Sequence, residues 1–232
     1  MEKVKIEIKG FLESSFVDWP GKICSVIFLP GCNFRCPYCH NHELIFNYQS
    51  LETIPLEEII LKLKKLRGWI DGVCITGGEP TIHPSLPDLI KKIRKEGFLI
   101  KLDTNGTHPV LLKKLVQEGV LDYIAMDIKG PLDDFHYFRC AGCVVDLQKI
   151  NESIKILKDA PFSTEFRTTI TPQLLTEKDI YQLTLQLKGI KNLTLQNFNS
   201  TNPLDPALKD LPSFEESKFQ EIKKKVSEII LN

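Results

Sequence analysis

Three cysteines fall within eight residues, in the run Cys32-Asn33-Phe34-Arg35-Cys36-Pro37-Tyr38-Cys39-His40. Thiolates are soft ligands that suit iron–sulfur clusters, zinc and copper(I). A structural zinc ion takes four donors and would have to recruit His40, His42 or Cys24. A cubane cluster held by Cys32, Cys36 and Cys39 alone would keep one iron open. An open position can bind a substrate, as a three-ligand catalytic zinc does. The cysteines alone permit either reading, including a non-catalytic metal-binding or electron-transfer module.

The other four cysteines divide by their surroundings. Cys24 and Cys74 sit in apolar runs, where a thiol acts as a small buried hydrophobe. Cys140 and Cys143 form a C-x-x-C pair in the loop expected after the fourth strand. That spacing suits redox chemistry or a metal, but no nearby cysteine completes a second cluster. Reduced thiols or a minor redox role are expected there.

Thirty basic residues balance thirty acidic ones, which argues against a nucleic-acid partner. With 42% hydrophobic and 26% charged residues over 232 positions, the chain can bury one sizeable core. No run reaches the roughly 18 apolar residues of a membrane helix. Residues 1–9 alternate charged and apolar types, unlike a signal peptide. No membrane partner is expected, and the expected compartment is the cytosol (cytoplasmic).

The chain supplies a repeating rhythm of elements to hold its polar motifs. Apolar runs predict strands at 23–29, 73–76, 98–103, 123–128, 162–170 and 193–198. Helical spacing predicts helices at 56–66, 86–96, 110–118, 147–157 and 177–187. Gly97, Gly119 and Gly189 read as helix C-caps. A last helix is expected to open with a capping box from Ser213 to Glu216. Alternation over 4–8 predicts an N-terminal edge strand or hairpin. His83, His108 and His136 read as ordinary loop residues.

Six β/α units imply an α/β fold with a parallel sheet. A partial (β/α)6 TIM-like barrel and a doubly wound sheet both fit. The expected organisation is one domain over 1–232: an N-terminal extension (1–22), a partial barrel core (23–200) and a C-terminal loop and helix (201–232). In either architecture the working loops follow the carboxyl ends of the strands. The cysteine run, Gly77-Gly78-Glu79-Pro80, Asp103-Thr104-Asn105-Gly106 and Asp127-Ile128-Lys129 all sit there. Arg167 and Gln196 point to the same mouth if alternation holds.

C-x3-C-x2-C with an aromatic before its last cysteine resembles the signature of the radical S-adenosylmethionine (radical SAM) enzymes. Gly77-Gly78-Glu79 resembles that family's glycine-glycine-glutamate motif. The segment from Ser15 to Gly21, Cys39-His40-Asn41 and the two aspartate motifs narrow the likeness to activating enzymes of glycyl-radical proteins, above all anaerobic ribonucleoside-triphosphate reductase activating proteins. The resemblance implies a [4Fe–4S] cluster on Cys32, Cys36 and Cys39. It implies S-adenosyl-L-methionine against Tyr38, with Gly77, Gly78 and Glu79 at its amine. Asp103, Thr104, Asp127 and the Met126 carbonyl match a monovalent cation site of pyruvate formate-lyase activase. Asn105 and Lys129 would contact the cofactor, as would Arg167 and Gln196 if they are more than pairing residues. A glycyl-radical enzyme as partner and an electron donor such as flavodoxin or ferredoxin follow. Modification of a small molecule of the deazapurine type, or of a peptide, is the alternative.

Overall fold

The structure, a computed structural model, describes residues 6–231. Among the described residues seven strands form one sheet in chain order. They are β1 (Gly10–Ser15), β2 (Cys24–Leu29), β3 (Gly72–Gly77), β4 (Leu99–Thr104), β5 (Tyr123–Asp127), β6 (Ser163–Ile170) and β7 (Leu193–Asn197). β1 runs antiparallel to β2, and every later neighbour is parallel. A doubly wound sheet needs a point where strand order reverses. None occurs from β2 to β7, so right-handed crossovers place the helices on one face and the sheet forms an open, partial barrel.

The helices are α1 (Glu43–Phe46), α2 (Leu56–Lys65), α3 (Leu86–Lys95), α4 (Pro109–Gln117), α5 (Asp134–Ala141), α6 (Leu147–Lys158), α7 (Glu177–Gln186) and α8 (Glu216–Leu231). Period-two alternation splits each strand between two faces. Ile27, Leu29, Val73, Ile75, Ile100, Leu102, Ile124 and Met126 join the large core beneath the helices. The opposite face carries a small apolar cluster, Trp19, Cys24, Val26 and Cys74. Cys24 and Cys74 are fully buried there, as small hydrophobes. The charged residues Lys101 and Asp103 share β4 with Ile100 and Leu102 but fall on the alternate positions.

Three expectations are corrected. The edge strand is Gly10–Ser15 rather than 4–8; residues 6–9 carry no strand, and Val4 and Lys5 lie outside the described residues. Ser213 does not cap α8: its hydroxyl donates to the Phe198 carbonyl, and the helix begins at Glu216. A capping box does form at α7, between Thr176 and Asp179. Cys140 lies in α5 rather than a loop, as does His136, which is paired with Asp133 and Asp179. The aromatic run Phe135-His136-Tyr137-Phe138 shows no clean apolar stripe, so spacing gave no sign of that helix. No helix among the described residues is long and apolar enough to cross a membrane.

Candidate active site

A cavity of about 440 Å³ opens at the carboxyl ends of the parallel strands, a volume ordinary for a cofactor site. The three cysteines and eleven expected cofactor residues all line it, together with Asp18, Phe34, His40, Asn41, Ile45 and Thr76, whereas Met126 does not.

The cysteine loop leaves β2 and is fastened on three sides. The Asn105 side-chain amide donates to Asn33 Oδ1 (2.8 Å), and Asn33 in turn donates to Thr107 Oγ1 (2.8 Å). Asn41 donates to the Gly77 carbonyl (3.1 Å). The Arg35 backbone N–H donates to the Ala141 carbonyl at the end of α5 (2.8 Å). Arg35 also folds its guanidinium back onto the carbonyls of Cys32 and Phe34, both at 2.7 Å. Burial pushes the Cys32 thiol up to about 11 and Cys36 to about 12, and raises Cys39. These thiols stay protonated until a metal takes them. Among the described residues no three His, Cys, Asp or Glu side chains converge where one metal ion could sit. A single zinc ion needs its donors within roughly 2.0–2.3 Å of one point. A polynuclear cluster instead takes each thiolate on a different iron, and the three thiols all line this one cavity.

Gly77 and Gly78 bring the end of β3 against that loop. A Cβ on Gly78 would lie 1.8 Å from the Gly31 carbonyl oxygen. Only glycine lets the Gly78 N–H reach the Leu29 carbonyl (2.9 Å) and the Glu79 N–H reach Gly31 (2.8 Å). Glu79 is 1% exposed. Its carboxylate accepts from the backbone N–H of Thr81 (3.0 Å) and Asn105 (2.6 Å) and from the Thr104 hydroxyl (2.8 Å). Burial still raises its pKa, against those donors. Glu79 thus stitches the glycine loop to Asp103-Thr104-Asn105-Gly106.

A chain of charges crosses β4, β5 and β6. Lys101 pairs with Asp103 Oδ1. Arg167 reaches Asp103 Oδ2 (3.2 Å) and Asp127 Oδ1 (2.8 Å). Lys129 reaches Asp127 Oδ2 (3.3 Å). Burial pushes the Asp127 carboxyl up, but the Arg167 and Lys129 charges outweigh it and hold it down at about 2. Tyr38 is buried in the wall, with its hydroxyl unpartnered, while Gln196 sits exposed at the rim. Cys140 is buried in α5, and the Cys143 thiol donates to the Asn33 carbonyl (3.4 Å), so Cys143 braces the cysteine loop.

Sequence reasoning assigned no role to Lys101 or Asp18. A lysine inside an apolar buried strand was the available signal for the first. Asp18 arrives from the loop after β1, where its carboxylate accepts from the Ser15 hydroxyl (2.5 Å); spacing did not place that loop over the cavity.

A three-cysteine loop at the mouth of an open β/α barrel, facing a glycine-glycine-glutamate turn, defines a class of cluster-bearing enzymes. The chain belongs to the Radical SAM superfamily, which matches residues 26–187, and is an enzyme of its glycyl-radical activase type. A Methanocaldococcus jannaschii protein that carries the provisional name glycyl-radical enzyme activating enzyme is 32% identical over 99% of this chain and 95% of its own. The pyruvate formate-lyase-activating enzyme of Clostridium pasteurianum is 27% identical over 92% of this chain and 94% of its own. The fold matches a radical SAM methyltransferase from Sphaerobacter thermophilus with a TM-score of 0.67, at 14% identity, over 93% of this chain and 66% of that one.

Proposed function

We propose that this chain takes a hydrogen atom from a backbone glycine of a partner glycyl-radical enzyme, of the anaerobic ribonucleoside-triphosphate reductase kind. Cys32, Cys36 and Cys39 hold a [4Fe–4S] cluster. Tyr38, the glycine-glycine-glutamate turn, Thr104, Asn105, Lys129, Arg167 and Gln196 surround S-adenosyl-L-methionine. Bound together, the two supply a 5′-deoxyadenosyl radical once an electron arrives from a donor such as flavodoxin or ferredoxin. The chain's own residues bind, orient and shield: Glu79 fixes the turn, and the Asp127–Lys129 pair sets the charge of the far wall.

The observation that carries a protein target is the rim. Asp18 lines the cavity while its neighbours Phe16 and Val17 stand 75% and 88% exposed. Exposed apolar side chains beside a site are surface that a partner chain covers.

The test is anaerobic. The reconstituted protein, dithionite, S-adenosyl-L-methionine and a candidate reductase are mixed and read by electron spin resonance. A glycyl doublet on the partner, with 5′-deoxyadenosine released, is the expected result. Release of 5′-deoxyadenosine with no doublet across several candidate partners would move the target to a small molecule. No 5′-deoxyadenosine from a fully loaded cluster would end the radical reading.

A further inference from the structure

Asp103, Thr104 and Asp127 are the side chains that likeness to pyruvate formate-lyase activase gives to a bound monovalent cation. Here their oxygens are already taken. Asp103 meets Lys101 on one oxygen, and Arg167 (3.2 Å) and the Thr76 hydroxyl (3.3 Å) on the other. Asp127 meets Arg167 and Lys129, one on each oxygen. The Thr104 hydroxyl donates to Glu79 and accepts from the Gly106 N–H (3.1 Å). Met126 lies mid-strand in β5, in register with Thr104 on one side and Phe166 on the other. Three protein cations therefore meet these two carboxylates directly, so each carboxylate oxygen has a cationic partner before any ion arrives. Glu165, the next acid along β6, is engaged by the hydroxyls of Tyr123 and Thr194. These residues do not fit an added cation.

Lys101 is the member of this chain that stands apart. Its side chain is 1% exposed, on the sheet face that bears the cavity, with Nζ against Asp103 and 3.6 Å from the Cys74 sulfur. The Tyr123 ring covers it at 6.0 Å. No substrate reaches it there. A buried ammonium holds its place only when paired, and this one is paired with Asp103, one of the carboxylates that the likeness gives to the cation. We propose that Lys101 is a built-in cation: its ammonium fills the electrostatic place of a bound potassium or sodium ion beside Asp103, so the site folds and takes its cofactor without one. This rests on reading the cavity as the S-adenosyl-L-methionine site. Burial lowers the Lys101 pKa and Asp103 raises it, with a net rise, so the group is charged at neutral pH.

The test compares potassium, sodium and choline chloride at equal ionic strength, on the full chain. Two readouts are taken: the thermal midpoint of the unloaded protein, and S-adenosyl-L-methionine affinity of the anaerobically reconstituted protein by calorimetry. Wild-type protein should show the same midpoint in all three salts and affinities within about twofold. Lys101→Met should bind about tenfold more weakly in choline and recover saturably with potassium, as one lost charge-assisted contact predicts. Its midpoint should likewise rise with potassium. Lys101→Arg, which keeps the charge, should stay indifferent to the salt.

Wild-type affinity that rises about tenfold from choline to potassium would overturn the proposal. So would Lys101→Met with wild-type affinity and no salt response. If Lys101→Met fails to fold in every salt, the wild-type comparison decides alone. Loss of 5′-deoxyadenosine formation in every salt would instead strike the proposed function and leave the unloaded midpoints to judge Lys101.

Discussion

Replacing Gly78 with alanine tests the closest backbone approach in the site. The new Cβ would sit 1.8 Å from the Gly31 carbonyl oxygen and 2.6 Å from its carbon. Both are backbone atoms, so no side chain can swing aside. The two segments must part by more than an ångström, and the 2.8 Å bond from Glu79 to Gly31 and the 2.9 Å bond from Gly78 to Leu29 do not survive that. Two buried backbone bonds at about 1–1.5 kcal/mol each, with some overpacking strain, give a loss of about 3 kcal/mol. Gly97→Ala is the control. Its φ of 89° is left-handed, but no atom lies within 4 Å of the added Cβ, so only the backbone term of about 1 kcal/mol applies. The assay is urea denaturation of the unloaded, reduced full chain. Gly78→Ala within about 0.5 kcal/mol of wild type would refute the close approach. Since Cys32 Cβ lies 3.3 Å from the same point, iron loading should fall in Gly78→Ala and not in Gly97→Ala.

Asp127 gives a pH dependence. Its folded pKa of about 2 lies below the ordinary 3.8, so its stabilisation is present above pH 3.8 and is lost as pH falls toward 2. Wild-type stability should drop by about 2 kcal/mol more than that of Asp127→Asn across that window; parallel curves in a denaturant series would contradict the ion chain. Cys36→Ala leaves two thiolates, so iron content after reconstitution and 5′-deoxyadenosine yield should both collapse; retained iron would argue for another ligand set. Arg167→Met removes the cation shared by Asp103 and Asp127 but leaves Lys101 on the one and Lys129 on the other, so it should cost about 2 kcal/mol by urea melt, as lost hydrogen bonds to charged groups do. Phe16→Ser with Val17→Ser should cut glycyl-radical yield severalfold without moving the urea midpoint; unchanged yield would remove the rim from the partner surface.

The cysteine spacing, the glycine-glycine-glutamate turn and the two aspartate motifs were legible because each is local. Their residues are neighbours in the chain, and a strand's end places them without help. The strand and helix rhythm was legible for the same reason: period-two and helical patterns are properties of single segments. Helix α5 escaped because only Tyr137 of its aromatic run is buried, edge-on to Phe34 of the cysteine loop, while Phe135 and Phe138 stay exposed and blur the stripe. Ser213 misled because its hydroxyl had a closer carbonyl, Phe198, on a distant segment.

By itself, then, the sequence determined which residues stand at the strand ends and that thiolates are among them. Only the tertiary structure decided how those ends meet. Alternation tells which side a residue takes within one strand; strand order and register tell which residues face each other across strands. The pairing of Asp127 with Arg167 on neighbouring strands, and the reach of Arg167 to Asp103, are facts of register. Alternation already sets Lys101 and Asp103 on one face of β4; the tertiary structure decided that this face is buried, with the Tyr123 ring and the Cys74 sulfur against the Lys101 ammonium.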